Sequence, residues 1–166
     1  MDIGIESESD SFIYVDDTKI LRKVNSAEDV DEFQDDLENN FYNWATENNM
    51  SFNALKFVVL RYGSNKNLKE ETNYFSSEFG VKIDSLSKHK DLGVIMSSNG
   101  GFKDHIETMA KKVKQRIGWI CRSFQNRSIT FMRHMYVSLV RPYVDYCSQL
   151  WGPGGRPTLD TVEKLQ

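Results

Sequence analysis

The first part of the chain contains two short runs of apolar residues separated by polar ones, which is typical of β-strands. Residues 11–15 and 18–24 are rich in β-branched and aromatic side chains. Only Asp16 and Asp17 separate the two runs, so the pattern predicts a hairpin with a two-residue turn. Neither aspartate reaches positive φ easily, and we therefore expect local strain where the sequence places two charges.

A helical period follows the predicted hairpin. Ser26 and Asp29 form a capping-box pattern at its start, in which each side chain binds the backbone of the other residue. Asn48 or Asn49 can adopt the left-handed conformation that closes a helix. Apolar residues between these ends recur at steps of three and four, which predicts one buried face. The members of that face are Val30, Phe33, Leu37, Phe41 and Trp44, with Trp44 as a core anchor.

Two further strands are predicted before the chain becomes helical. The first covers residues 56–62 and is closed by Gly63. The second covers residues 89–96, with Gly93 in its middle. A glycine inside a strand indicates a bulge or a close approach to the backbone by another group.

A long apolar stripe at helical spacing characterises the second part of the chain. The stripe begins at Phe102 and ends at Phe124. A second helix is predicted over residues 129–140, and Pro142 ends or kinks it. Residues 143–151 are apolar enough to continue as a buried helix.

Together these elements predict an α+β fold of two lobes. The first lobe, residues 1–100, contains the hairpin, a helix and further strands, and the second, residues 101–166, is helical. Gly100 and Gly101 join the two. With 166 residues and 39% hydrophobic composition, the chain can form one globular domain or two small lobes with a buried core.

Composition argues against a membrane or secreted protein. No apolar run is long enough to span a bilayer, and the acidic opening MDIGIESESD lacks the pattern of a signal peptide. Cys121 and Cys147 lie far apart, which predicts free, buried thiols in a reducing compartment. We therefore expect an intracellular protein, nuclear or cytoplasmic, without a membrane partner.

The net charge of −3 conceals opposite charges in different parts of the chain. Residues 1–50 contain 3 Lys and Arg against 14 Asp and Glu, whereas residues 101–141 contain 9 against 2. This polarity indicates two kinds of partner, metal cations and a polyanion. Solvated helix faces produce the same pattern, so charge alone leaves both interpretations open.

The adjacent carboxylates Asp16 and Asp17 are the first candidate for chemistry. A tight hairpin that presents two carboxylates can hold Mg²⁺, which prefers oxygen ligands, and two such ions can assist phosphoryl transfer. Acidic residues are also common in solvated turns, so the pair by itself does not decide. His89, His105 and His134 lack metal-ligand spacing and are interpreted as structural or surface residues.

Four ordered segments resemble the reverse transcriptases of LINE-type, jockey-like non-LTR retrotransposons. FIYVDDTKIL is similar to their YVDD metal-binding box, and DLENNFYNWATENNMSFNALKFVVLRYGSN to the palm helix and strand that follow it. KHKDLGVIMSSNGGFKDHI resembles the next palm segment, and GWICRSFQNRSITFMRHMYVSLVRPYVDYCSQLW the region on the thumb side. The resemblance extends from about residue 12 to residue 166. It implies a partial palm followed by a helical, thumb-like lobe.

The resemblance also implies roles for individual residues. Asp16 and Asp17 match the paired carboxylates that help to bind two catalytic Mg²⁺ ions, and Tyr14 lies near the primer end. Lys56 matches a lysine near the incoming dNTP, whereas an ordinary surface lysine is the alternative. The remaining matches form two sets. One set supports the primer strand, and its alternative is a strand bulge without function. The other set faces the phosphates of an RNA template and DNA primer, and its alternative is a solvated helix face. They are Leu92 and Gly93 for the primer strand, and Lys111, Lys112, Lys114 and Arg116 for the phosphates.

The family's polymerase needs a further carboxylate on an earlier palm strand, and fingers that contact the nucleotide. Only 15 residues precede Asp16, and none of their carboxylates has a matching strand context. We therefore expect a palm and thumb fragment that does not polymerise alone. The alternatives are a non-catalytic nucleic-acid-binding module and a domesticated or relic interaction protein. An uncovered hairpin edge also predicts self-association.

Overall fold

The computed structural model describes residues 9–15, 17–63, 73–76 and 80–152. The chain forms two compact units, Met1–Leu86 and Ser87–Gln166. Their small sheets and helices make a mixed α and β structure that is compatible with the predicted α+β class. The compact units divide between Leu86 and Ser87. The division between a palm and a thumb at Gly100 and Gly101 stays a prediction.

The first unit begins with an antiparallel hairpin. Strand β1, Asp10–Tyr14, pairs with β2, Asp17–Leu21, and the last pair before the turn is Tyr14 with Asp17. Val15 therefore lies in the turn, whereas Asp17 belongs to β2. Two residues separate the strands, as predicted, but the prediction that Asp17 is one of them was wrong.

A helix with an irregular middle follows the hairpin. Helix α1, Ala27–Asp35, begins with the predicted capping box between Ser26 and Asp29. Backbone hydrogen bonds from Asn25 and Ser26 lower the pKa of the Asp29 carboxyl. The π-helical segment Asp36–Phe41 connects α1 to helix α2, Tyr42–Glu47, and Asn49 has the expected positive φ of 53° just after it.

The π-helical segment explains why the predicted helix face is only partly correct. The Tyr42 amide donates to the Leu37 carbonyl five residues earlier, so the helix contains wider spacing here. Phe41 is buried as predicted, but Asp36 is buried as well, and Ala45 is buried in place of Trp44, which is only half-buried. The prediction of Trp44 as a core anchor was therefore wrong.

Short strands complete the first unit. Strand β3, Val58–Leu60, pairs in parallel with β6, Asp84–Leu86. The antiparallel pair β4, Phe75–Ser76, and β5, Val81–Lys82, lies between them in sequence. Among the described residues of this unit, one cluster of buried side chains is surrounded by partly buried neighbours. Its buried members are Val30, Leu37, Tyr74 and Ile83.

The second unit begins with a hairpin, where one strand had been predicted. Strand β7, Lys88–Asp91, pairs with β8, Val94–Ser97, through a turn at Leu92 and Gly93. Both turn residues have positive φ, 43° and 87°, which suits a tight hairpin turn. Gly93 therefore reverses the chain and does not form a strand bulge.

Helices follow the hairpin in the described part of the second unit, which ends at residue 152. Helix α3, Lys103–Ser123, and helix α4, Ile129–Leu139, confirm the two predicted helices within a few residues. Two short helices follow α4: α5, Arg141–Asp145, which has Pro142 in its first turn, and α6, Ser148–Trp151. They are not one continuous helix, because Cys147 has a φ of 51° between them.

The apolar stripe of α3 is the centre of the second core. Val113 is 0% exposed, and Trp151 covers the same cluster from α6. His105 is also buried, where its Nδ1 accepts a hydrogen bond from the Ile95 amide, 3.4 Å away. Burial, and then the charge of Lys112, lower the pKa of the His105 imidazole. This buried position agrees with the prediction that His105 is a structural or surface residue.

Two further expectations concern the cysteines and the membrane. Both cysteines are free, as predicted, but Cys121 is exposed and Cys147 is partly exposed, so the prediction that they are buried was wrong. In the described part of the chain, no helix is long and apolar enough to cross a membrane.

Candidate metal-binding hairpin and nucleic-acid interface

The tip of the first hairpin presents two of the predicted site residues on one face. Side chains alternate along a strand and directly paired residues share a face, so Tyr14 and Asp17 lie side by side. Both are exposed, and Tyr14 is 63% exposed. Asp16 lies outside the described residues. The hairpin thus offers the Asp17 carboxylate to solvent beside an aromatic ring.

The strain expected at the charges is observed next to them, at Val15. This β-branched residue has a φ of 59° and is 85% exposed. A left-handed conformation is unfavourable for a β-branched side chain, and no burial of this one offsets the cost. The turn of the YVDD sequence is therefore held in a costly conformation by the structure around it.

We expect Val15→Gly to stabilise the first unit by about 1 kcal/mol, because glycine adopts positive φ without a steric cost. Urea unfolding of the two proteins would measure the change. Val15→Ala is the matched control, since it shortens the exposed side chain but keeps its Cβ. An equal gain from both variants would show that the conformation of Val15 is not the cause.

Asp36 joins both ends of the hairpin to the helix. Ser9 precedes β1 and donates its hydroxyl to Asp36 Oδ2 at 2.5 Å, while Arg22 follows β2 and donates from Nη1 at 2.9 Å. Arg22 also forms an ion pair with Glu32. The side chains of Arg22 and Asp36 are 8% and 11% exposed.

These contacts agree with the register of the hairpin. Continuing the observed pairing of Asp10 with Leu21 by one step places Ser9 opposite Arg22, where one carboxylate reaches both. With a turn at residues 16 and 17, Ser11 would lie opposite Arg22 instead. Asp36 therefore favours the observed turn, and it is a positioning residue that the sequence analysis did not identify.

No group of three or more His, Cys, Asp or Glu side chains that could hold a metal ion occurs among the described residues. Asp17 supplies hard carboxylate oxygens of the kind that Mg²⁺ prefers, but one carboxylate is only part of a ligand set. Metal binding by Asp16 and Asp17 stays a prediction.

Lys56 lies in a turn and not in the predicted strand. The residues 54–56 form one 3₁₀ turn, in which the Lys56 amide donates to the Asn53 carbonyl at 2.9 Å. The Asn53 side chain also accepts a hydrogen bond from the Leu55 amide. Such local bonds compete with strand pairing, and β3 therefore begins only at Val58. The side chain of Lys56 is exposed.

Leu92 and Gly93 lie at the tip of the second hairpin, against Tyr146. The Tyr146 hydroxyl donates to the Leu92 carbonyl at 2.5 Å. A Cβ atom on Gly93 would lie 3.4 Å from the Tyr146 ring. The close approach expected at Gly93 is therefore made by a side chain of the same unit.

The structure separates the four predicted basic residues into two groups along α3. Lys112 and Arg116 are one helical turn apart and line a groove of about 380 Å³ with Gln115, Trp119 and Tyr143. The other two residues, Lys111 and Lys114, are exposed but do not line this groove.

Arg116 contacts both aromatic side chains of this groove. Its Nη2 donates to the Tyr143 hydroxyl at 2.9 Å, and its guanidinium carbon lies 5.7 Å from the ring centroids of both Trp119 and Tyr143. These distances are within the range of cation–π interactions. The groove combines positive charge with aromatic surface, which is a combination that binds nucleic acids.

Sequence reasoning missed the aromatic members of the groove for different reasons. Trp119 follows Lys112 and Arg116 at helical spacing, so the pattern of α3 could have identified it. Tyr143 belongs to another helix, and only the packing of α5 beside α3 brings it there.

Comparison with known proteins shows that the sequence of this chain is similar to that of a polymerase from a mobile element. The chain is 29% identical over 162 residues to an RNA-directed DNA polymerase from the mobile element jockey of Drosophila funebris. The similarity is to a reverse transcriptase. It covers 92% of this chain and 17% of the relative, so the chain spans less than a fifth of the relative's length. No protein-family model and no solved structure matches the chain.

This similarity supports a protein related to reverse transcriptases, as the resemblance of the YVDD segment predicted. A general dependence on a divalent metal follows for the complete enzyme of such a relative. An identity of 29% does not show which individual residues contact metal, primer or template.

Proposed function

We propose that this chain is the palm and thumb part of an RNA-directed DNA polymerase of a non-LTR retrotransposon. The observation that carries the proposal is the hairpin, in which Tyr14 pairs with Asp17 across a turn where Val15 has a φ of 59°. The similarity to the jockey polymerase supports the same assignment. In the complete enzyme, the reaction is nucleotidyl transfer to a primer 3′ hydroxyl.

In this proposal, Asp16 and Asp17 supply part of the ligand set for Mg²⁺. The exposed carboxylate of Asp17 at the end of the turn fits this hard cation, although no group of three or more possible ligands occurs among the described residues. When bound, the metal neutralises charge during phosphoryl transfer. Tyr14 contacts the primer end, and Lys56 offers its ammonium group to the triphosphate of the incoming dNTP.

The second unit would contact the RNA template and DNA primer. Lys111 and Lys114 offer exposed charges to phosphates, and Lys112 and Arg116 do so from the groove. Contacts of this kind do not depend on base sequence and weaken with salt. The backbone of Leu92 and Gly93 would support the primer strand.

A second candidate function is a nucleic-acid-binding module that has no catalytic role. The observation that favours it is the groove, because Arg116, Trp119 and Tyr143 are organised within the second unit alone. This function requires no metal and no contribution from the hairpin.

We expect the chain to bind an RNA–DNA hybrid but not to extend a primer. Metal-assisted phosphoryl transfer requires ions fixed between several ligands, which Asp16 and Asp17 alone do not provide. Fluorescence anisotropy over a salt series measures binding, and primer extension with Mg²⁺ or Mn²⁺ measures activity. Templated extension would refute the expectation that the chain is inactive alone.

Two sets of variants assign the binding. We expect Lys111→Ala/Lys112→Ala/Lys114→Ala to weaken hybrid binding and to reduce the slope of log K against log salt by about 2 to 3. Asp16→Asn/Asp17→Asn is the control, and it should bind the hybrid at least as well as the unmodified chain. Absence of hybrid binding at low salt would contradict both candidate functions.

A further inference from the structure

We propose that the groove formed by Lys112, Arg116, Trp119 and Tyr143 binds single-stranded nucleic acid, with a phosphate on the two cations and an unpaired base against Trp119. The inference rests on the proposed function, since it assumes a nucleic-acid partner. It adds that the partner's form is an unpaired strand, and that aromatic residues outside the basic cluster select it.

The first step concerns the charge of Arg116. Its hydrogen bond to the Tyr143 hydroxyl and its two ring contacts fix the guanidinium without neutralising it. Among the ion pairs formed by the described residues, none includes Arg116 or Lys112. A guanidinium has five donors in a planar fork, so several remain for an anion after one binds Tyr143. Its fixed geometry matches a phosphate.

The second step concerns the indole of Trp119. This side chain is 43% exposed, although tryptophan ordinarily buries most of its surface. Phe124 packs edge-to-face against it, with the ring centroids 5.9 Å apart and the planes at 88°. The contact restrains the plane of the indole and leaves it as a wall of the groove. A restrained, exposed aromatic ring is a platform on which a base can stack.

The third step distinguishes a single strand from a duplex. The bases of a duplex stack on one another and pair, so their faces are not available to Trp119. A single strand offers a base face and the adjoining phosphate together, and stacking tolerates any base sequence. The groove volume of about 380 Å³ is at the small end of ligand sites, which suits one nucleotide better than a helix.

The experiment compares two labelled ligands by fluorescence anisotropy at one salt concentration. One is a single-stranded RNA of 12 nucleotides, and the other is a blunt RNA–DNA hybrid of the same RNA sequence. We expect Trp119→Ala to weaken single-strand binding by about tenfold and hybrid binding by less than about twofold, since stacking on one ring contributes to the first only. Trp119→Phe should recover part of the loss because it retains an aromatic face.

Two controls keep the test specific. Lys111→Ala/Lys114→Ala removes charge outside the groove, and it should weaken the two ligands by similar factors. A strand with abasic sites in place of its bases should bind the unmodified chain and Trp119→Ala equally. Thermal unfolding would verify that Trp119→Ala is folded, as expected for an exposed side chain.

The possible outcomes separate the inference from the function on which it rests. Equal losses for both ligands in Trp119→Ala, or no loss for either, would overturn the single-strand site while leaving nucleic-acid binding intact. Failure of the unmodified chain to bind either ligand would refute the proposed function itself. A selective loss that Trp119→Phe partly restores supports the inference.

Discussion

Replacing Asp36 with alanine should destabilise the first unit by about 3 kcal/mol, because it leaves the buried guanidinium of Arg22 without one of its carboxylate partners. The variant also removes the acceptor for Ser9, whose hydroxyl lies 2.5 Å from Asp36 Oδ2. Both ends of the hairpin lose an attachment to the helix. Urea unfolding followed by circular dichroism would measure the loss of stability.

The same variant should also loosen the tip of the hairpin. Once Ser9 and Arg22 no longer share an acceptor, the turn can move one residue towards the C-terminus; Tyr14 then pairs with Lys19 in place of Asp17, and the same faces stay inward. Hydrogen exchange of the β1 and β2 amides would detect the weaker pairing. The matched control is Asp35→Ala, since this neighbouring carboxylate is exposed and should change stability by less than about 0.5 kcal/mol.

Similar losses from Asp36→Ala and Asp35→Ala would show that the buried hydrogen bonds do not hold the hairpin. Asp36→Asn separates charge from hydrogen bonding, because its amide oxygen can still accept from Ser9. We expect Asp36→Asn to be intermediate, since a neutral acceptor stabilises a buried guanidinium less than a carboxylate does.

Trp151→Ala should destabilise the second unit by about 3 to 5 kcal/mol, the usual cost of removing a large aromatic side chain from a core. Trp151 is 3% exposed, and its indole N–H donates to the Tyr146 carbonyl at 3.1 Å. Its ring also packs against His105, with centroids 6.3 Å apart. Thermal or urea unfolding would measure the loss.

Trp119→Ala is the matched control for this experiment, because it removes the same side chain from an exposed position on α3. We expect it to cost less than about 1 kcal/mol of stability, while it weakens the binding of single-stranded nucleic acid. Trp151 would thus contribute mainly to stability, and Trp119 mainly to binding. A larger loss from Trp119→Ala than from Trp151→Ala would contradict the assignment of Trp151 to the core.

The sequence could predict those elements whose signals are local. The capping box of Ser26 and Asp29 lies within one turn, and the stripe from Phe102 to Phe124 repeats over a long helix, so both were identified correctly. The mixed class followed from the order of such elements. The identity of the YVDD segment followed from resemblance and not from physical reasoning about two carboxylates.

The parts that sequence reasoning missed depend on contacts between distant residues. The turn at Val15 is favoured by Asp36, 21 positions away, and two adjacent aspartates gave no sign of that contact. The groove requires Tyr143 beside Arg116, 27 positions apart, and no periodicity on either helix encodes the pair. Gly93 was interpreted as part of one strand because the apolar run continues through the turn.

The π-helical segment Asp36–Phe41 is the place where this helix can lose one residue and keep its buried face. A regular α-helix brings residues four apart onto one face, whereas this segment aligns Asp36 with Phe41, which are five apart. Loss of one residue between them would restore ordinary helix geometry and keep both side chains inward. The same loss within α1 or α2 would turn the remaining helix by about 100° and expose its buried face. Single-residue gaps in related chains are therefore expected to fall between Asp36 and Phe41.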